Sequence, residues 1–177
     1  RGSNHTGMRQ FNERTVLRAI RHAGAIPKAD LARLTQLSTQ TVSIIVNRLL
    51  DDGLLVKQDR VRGKIGQPSV PLSLNPGGAF SVGIKIGRRS LDVLLVDFTG
   101  AVRRRETLPY DFPDASTLLP TIAQHMRSIQ DGLGALALRL IGVGLAAPLN
   151  LVDATLRELA LAFGLTLLPI ALVGSTM

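Results

Sequence analysis

Cysteine and tryptophan are absent from the 177 residues, and one tyrosine and five phenylalanines are the only aromatics. Without thiols there is neither a disulfide framework nor a thiolate metal centre. The three histidines, His5, His22 and His125, are too scattered for ligand spacing, so no metal or cofactor is expected. No run of 18 apolar residues occurs, and no apolar signal core follows the first charges. The expected location is therefore the cytoplasm. Acidic residues are scarce, 13 Asp/Glu against 21 Lys/Arg. Asp92, Asp97 and Asp111 stand alone, without the paired carboxylate that acid–base catalysis needs, and read as turn or surface groups. No catalytic residue is named.

The hydrophobic content, 45%, is ordinary for a folded chain, and the length suits one medium domain or two small ones. The charge is distributed unevenly. Residues 1–76 hold 12 Lys/Arg against 5 Asp/Glu, net +7, and residues 77–177 hold 9 against 8, net +1, together the +8 of the whole. A basic module joined to a near-neutral one is expected where the first neutralises phosphates and the second does something else. The alternative is a solvated basic surface.

The most informative stretch is PKADLARLTQLSTQTVSIIVNRLLDDGLLV, residues 27–56. Ala29, Leu31, Ala32 and Leu34 give a short amphipathic helix, residues 35–37 a turn, and Ser38 a cap for the next helix. At 100° per residue Val42, Ile45, Val46 and Leu49 fall on one side of that helix, and Gln40, Ser43, Ile44 and Asn47 on the other. Amides and hydroxyls are what base edges in a major groove pair with, which makes this a candidate DNA-reading helix; the bland alternative is an exposed polar helix. Gln40, Ser43 and Asn47 are the candidate base readers. Thr39, Thr41 and Arg48, at the flanks of that face, suit phosphates.

Upstream, Asn12 is placed to cap a helix over residues 13–23, with Val16, Leu17 and Ile20 apolar and Gly24 ending it. Arg1 to Gly7, ahead of Met8, read as an appended remnant outside the fold. Downstream, residues 54–57 and 70–74 read as strands around a loop containing Arg60, Arg62, Gly63, Lys64 and Gly66. Three helices and a basic hairpin make a winged helix-turn-helix over residues 8–76. In its wing Arg62 and Lys64 can reach phosphates or a narrow minor groove, unless the hairpin tip is simply solvated.

Asn75-Pro76-Gly77-Gly78 punctuates the chain, and a second domain is expected over residues 77–177. Its strands read as 81–86, 90–98 and 102–108, followed by a helix at 118–129 and a buried, glycine-bearing strand at 140–145. That order suggests an α/β domain with a mixed sheet. After Asn150 a second helix, 154–163, and an apolar strand are expected. The two helices cover about one face of such a sheet, so apolar area stays exposed and self-association is expected, unless the chain is a remnant of a longer polypeptide.

The order of these pieces resembles the ROK family (repressors, open reading frames, kinases), in its repressor branch. LARLTQLSTQTVSIIVNRLLDDGLL, GKIGQPSVPLSLNP, SVGIKIGRRSLDVLLVDFTGAV and IGVGLAAPLN carry the resemblance, which covers most of residues 13–150. It implies an α+β winged helix-turn-helix followed by an α/β, actin-like, ribonuclease H-like domain descended from sugar kinases. It also implies a sugar or sugar-derived effector and a homodimer or higher homo-oligomer on operator DNA.

The departures from the family pattern are informative. Where the kinase branch has its Asp-x-Gly-x-Thr phosphate loop, this chain has Lys85-Ile86-Gly87-Arg88-Arg89, which argues against kinase activity. The wing triplet is Gly66-Gln67-Pro68 in place of Gly-Arg-Pro, leaving Gln67 as a candidate base contact there. The family's cysteine-rich zinc motif and its Glu-Asn-Asp sugar segment are missing. The residues after Asn150 resemble the distal end of the domain, so its middle is either deleted or omitted. The expected function is sequence-specific operator binding by a regulator, without catalysis. A kinase-like enzyme and a winged-helix module that contacts protein are the alternatives.

Overall fold

The computed structural model describes residues 3–60 and 69–147. Three helices come first, α1 (Ser3–Ala23), α2 (Lys28–Thr35) and α3 (Thr39–Asp51). α1 runs unbroken through Asn12, which is therefore an interior residue and not the expected cap; Ser3 to Gly7 belong to the helix. Gly7 is the only weak helix former of the breaking type in that stretch, and one glycine costs about 1 kcal/mol, too little to stop a helix. Gly24 follows α1 with φ +73°, the left-handed conformation that ends it.

Val16 and Ile20 of α1, Leu31 of α2 and Val42, Ile45, Val46 and Leu49 of α3 are buried together with Leu55, Leu72 and Leu74. Each such side chain contributes about 1.5–3 kcal/mol by leaving water. Leu34, expected on the apolar side of α2, is exposed.

Strands β1 (Leu55–Lys57) and β2 (Leu72–Leu74) pair antiparallel with Leu55 opposite Leu74 and Lys57 opposite Leu72. Ile26 extends this ribbon by a single-residue bridge, its N–H donating to Leu72 O at 3.0 Å and Leu72 N–H returning a bond at 2.9 Å. The expected phosphate or minor-groove contacts Arg62 and Lys64, and Gln67, lie outside the described residues. So does the expected helix-and-strand segment after Asn150.

Strands β3 (Phe80–Ile86), β4 (Ser90–Asp97), β5 (Val102–Pro109) and β6 (Leu140–Ala146) form one sheet in the order β5-β4-β3-β6, with helix α4 (Ala115–Leu133) between β5 and β6 in the chain. Phe80, Val82, Ile84 and Ile86 alternate inward along β3, as do Leu91, Val93 and Leu95 along β4. α4 buries Leu118, Ile122, Met126 and Ile129. The buried strand expected near residue 140 is not buried. Every residue of β6 is partly or fully exposed, Ile141 at 72%, because β6 is an edge strand in the described sheet.

By contacts the chain forms two compact units. One holds Arg1–Ser81, Val96–Arg103 and Leu138–Gly142, and the other holds Val82–Leu95, Arg104–Ala137 and Val143–Met177. In the first, buried Asp97 organises the turn after β4. Its Oδ1 accepts from Thr99 N, Thr99 Oγ1 and Ala101 N, and its Oδ2 from Arg103 Nε at 2.5 Å. Burial alone would raise its pKa, yet the hydrogen bonds from Thr99, Arg103 and Ala101 to the charged form outweigh it and hold the carboxyl below its ordinary 3.8. Among the described residues no helix is long and apolar enough to cross a membrane.

Candidate nucleic-acid interface

Three residues, Gln36 to Ser38, join α2 to α3. Gln36 takes the left-handed conformation, φ 57°, that reverses the chain after Thr35. Ser38 is extended and its Oγ accepts from Thr41 N at 3.1 Å, the expected cap. The two hydroxyls of Ser38 and Thr41 also bond to each other at 2.8 Å. A freed donor of the first turn is thereby satisfied, and the start of α3 is fixed by its own sequence.

With Val42, Ile45, Val46 and Leu49 inside, α3 presents the opposite side to solvent. Thr39, Gln40, Ile44 and Asn47 are exposed, and Ser43 and Thr41 partly so. The candidate base readers Gln40, Ser43 and Asn47 therefore lie on one helical stripe. Thr39 stands at the N-terminal edge of that stripe. The Thr41 hydroxyl belongs to the cap. The guanidinium of Arg48, read from sequence as a phosphate contact, is 2.5 Å from Glu13 of α1 and 3.8 Å from Asp52.

One polar contact bears on the stripe without having been legible in sequence. Lys28, the first residue of α2, donates from Nζ to Asn47 Oδ1 at 2.9 Å. The Asn47 amide oxygen is partly occupied by this bond, so Asn47, which is exposed, is biased toward donating. Lys28 and Asn47 are 19 residues apart, and only the packing of α2 on α3 brings them together.

The far end of α3 is fixed as firmly as its start. Asp52 N–H donates back to Arg48 O at 2.8 Å, and Gly53 follows with φ +70°. The Arg139 guanidinium donates to Asp52 O at 3.1 Å and to Gly78 O at 2.9 Å, placing a cation where the helix carbonyls point.

At the segment corresponding to the kinase phosphate loop, Lys85, Arg88 and Arg89 are exposed. The loop is closed on itself, with Gly87 N–H donating to Ser90 O at 2.8 Å and the Tyr110 hydroxyl to Gly87 O at 2.6 Å. A phosphate-cradling loop needs free backbone N–H groups, and the Gly87 N–H is used within the turn.

Residues 10–64 match the model of the MarR family. The DNA-binding transcriptional dual regulator NagC of Escherichia coli (strain K12) is 27% identical over 146 residues, covering 80% of this chain and 36% of the relative. The xylose repressor of Caldicellulosiruptor bescii is 29% identical over 99 residues, covering 56% of this chain and 25% of the relative. A solved structure described as a ROK family transcriptional regulator, homologous to the Escherichia coli MLC protein, superposes with a TM-score of 0.64 at 22% identity. It covers 89% of this chain and 44% of that one. The chain is similar to transcriptional regulators of the ROK repressor type. Its fold is like that of the solved regulator: a winged helix-turn-helix followed by an α+β domain with a four-stranded sheet. The chain spans about a third of the length of the curated relatives it matches.

Proposed function

We propose that this chain is a sequence-specific DNA-binding regulator, of the ROK repressor type, that docks α3 in the major groove of operator DNA. The observation that carries the reading is the division of α3. One side supplies four buried anchors, and the other presents Gln40, Ser43 and Asn47 at groove-reading spacing after a capped turn. A groove-reading helix has to be rigid, and both ends of α3 are bonded. The net +7 of residues 1–76 supports a phosphate-bearing partner.

In this reading Gln40, Ser43 and Asn47 contact base edges, Thr39 and Thr41 sit near phosphates, Arg62 and Lys64 of the wing add charge, and Gln67 reaches a groove edge. Arg48 has a positioning role, because it ties α3 to Glu13 of α1. A two-fold homodimer on an inverted repeat would read two half-sites. By family likeness, a sugar or sugar derivative would act as effector in the cytoplasm. No phosphoryl transfer is proposed: Lys85 and Arg89 replace the acidic residue and threonine of the kinase loop, and the Gly87 N–H is spent in its own turn.

Duplexes selected from a randomised library test the reading. Gln40→Ala should relax preference at one base position per half-site by about 1–3 kcal/mol of discrimination. Arg62→Ala should weaken all sequences about equally. Uniform weakening by Gln40→Ala and a specificity change by Arg62→Ala would exchange the roles of helix and wing.

A further inference from the structure

Ile44 stands in the middle of the stripe that the proposed function assigns to base reading, and it is 65% exposed. It lies four residues after Gln40 and three before Asn47, so the three side chains follow one another along one side of α3. The core does not require it, since Val42, Ile45, Val46 and Leu49 already anchor the helix on the other side. An exposed β-branched residue among amides and hydroxyls gains nothing from water and lowers helix propensity slightly.

In a major groove such a side chain has a specific counterpart. Base edges there offer hydrogen-bonding groups and one apolar group, the 5-methyl of thymine. Gln40 and Ser43 bring amide and hydroxyl chemistry to this surface, and Lys28 engages the Asn47 oxygen so that Asn47 is biased toward donating. Ile44 supplies the one chemistry the polar neighbours lack.

We propose that Ile44 is a specificity-determining residue that recognises thymine through its methyl group, between the bases read by Gln40 and Asn47. The proposal rests on the DNA-binding reading and adds a base identity to it. A methyl is worth about four-fold in affinity when it leaves water on binding, so the preference is for thymine over both cytosine and uracil.

The test uses the full chain and duplexes it selects from a randomised library, with each thymine of the preferred half-site replaced in turn by deoxyuridine. One such replacement should weaken binding about four-fold. Ile44→Ala should bind thymine and uracil duplexes equally, and Ile44→Val should keep part of the difference; circular dichroism of these exposed-site variants confirms the fold. Placing 5-methylcytosine at that position should restore part of the affinity lost with cytosine. The proposal is overturned if no thymine methyl matters, or if Ile44→Ala retains the sensitivity, as it would were Ile44 a contact for a protein partner. A chain that selects no duplex and binds DNA without salt dependence would overturn the DNA reading as well, an outcome distinct from methyl insensitivity.

Discussion

The helix-turn-helix and the β3–β6 sheet differ in how completely their own residues close them. In the first, every apolar residue that α3 turns inward meets α1, α2 or the β1–β2 ribbon, and the exposed side is polar except for Ile44. In the second, β3 and β4 alternate buried and half-buried residues as a covered sheet does, while β6 beside β3 leaves Ile141 at 72% exposure. A surface that is polar where open can serve as an interface in its own right. Apolar residues left open on an edge strand depend on whatever else packs there.

The contrast can be broken most sharply in the cores. Leu31→Ala, at a fully buried position, should lower stability by about 2–5 kcal/mol in urea denaturation. Ile141→Ala should change it by no more than about 0.5 kcal/mol. Equal losses would mean that β6 is as covered as α2.

A second test concerns Asp97, whose charged form is held by Thr99, Ala101 and Arg103. Asp97→Asn should cost about 1–3 kcal/mol near neutral pH. The folded pKa lies below the ordinary 3.8, so this stabilisation is present above that value and is lost as pH falls through the lower, folded one. The stability gap between native chain and variant should therefore narrow below about pH 4. A gap that stays constant down to pH 2 would show that the charge of Asp97 does not stabilise the turn.

Smaller effects test the frame of α3. Ser38→Ala removes the cap and should cost about 1 kcal/mol, with Ser38→Gly costing only a few tenths. Glu13→Gln weakens the tie to Arg48, a partly exposed pair worth less than about 1 kcal/mol. It should thus change DNA affinity more through the position of α3 than through stability. An unchanged affinity would remove the positioning role given to Arg48.

Sequence made the helix-turn-helix legible because its information is local. The 3.6-residue recurrence of Val42, Ile45, Val46 and Leu49 and the cap at Ser38 each lie within one turn of what they specify. The strands β3, β4 and β5 were legible through alternation and turn residues in the same way. Ile26 joins Leu72 through one residue, which has no period to detect. Lys28 meets Asn47, and Arg48 meets Glu13, only after helices have packed, and neither pair has a sequence spacing to reveal it. The exposure of β6 was misread because a glycine-bearing apolar run looks the same whether its faces are covered or open. Gln36 in the left-handed region was likewise hidden, since glycine or asparagine is the usual sign of that conformation.

The most direct test of the DNA-reading role is the salt dependence of binding by the full chain to a selected duplex. Several phosphate contacts predict a fall of log affinity with log salt whose slope is several negative units, close to −0.9 for each phosphate neutralised. A slope near zero, with affinity unchanged across the salt series, would contradict the assignment of this chain as a DNA-binding regulator.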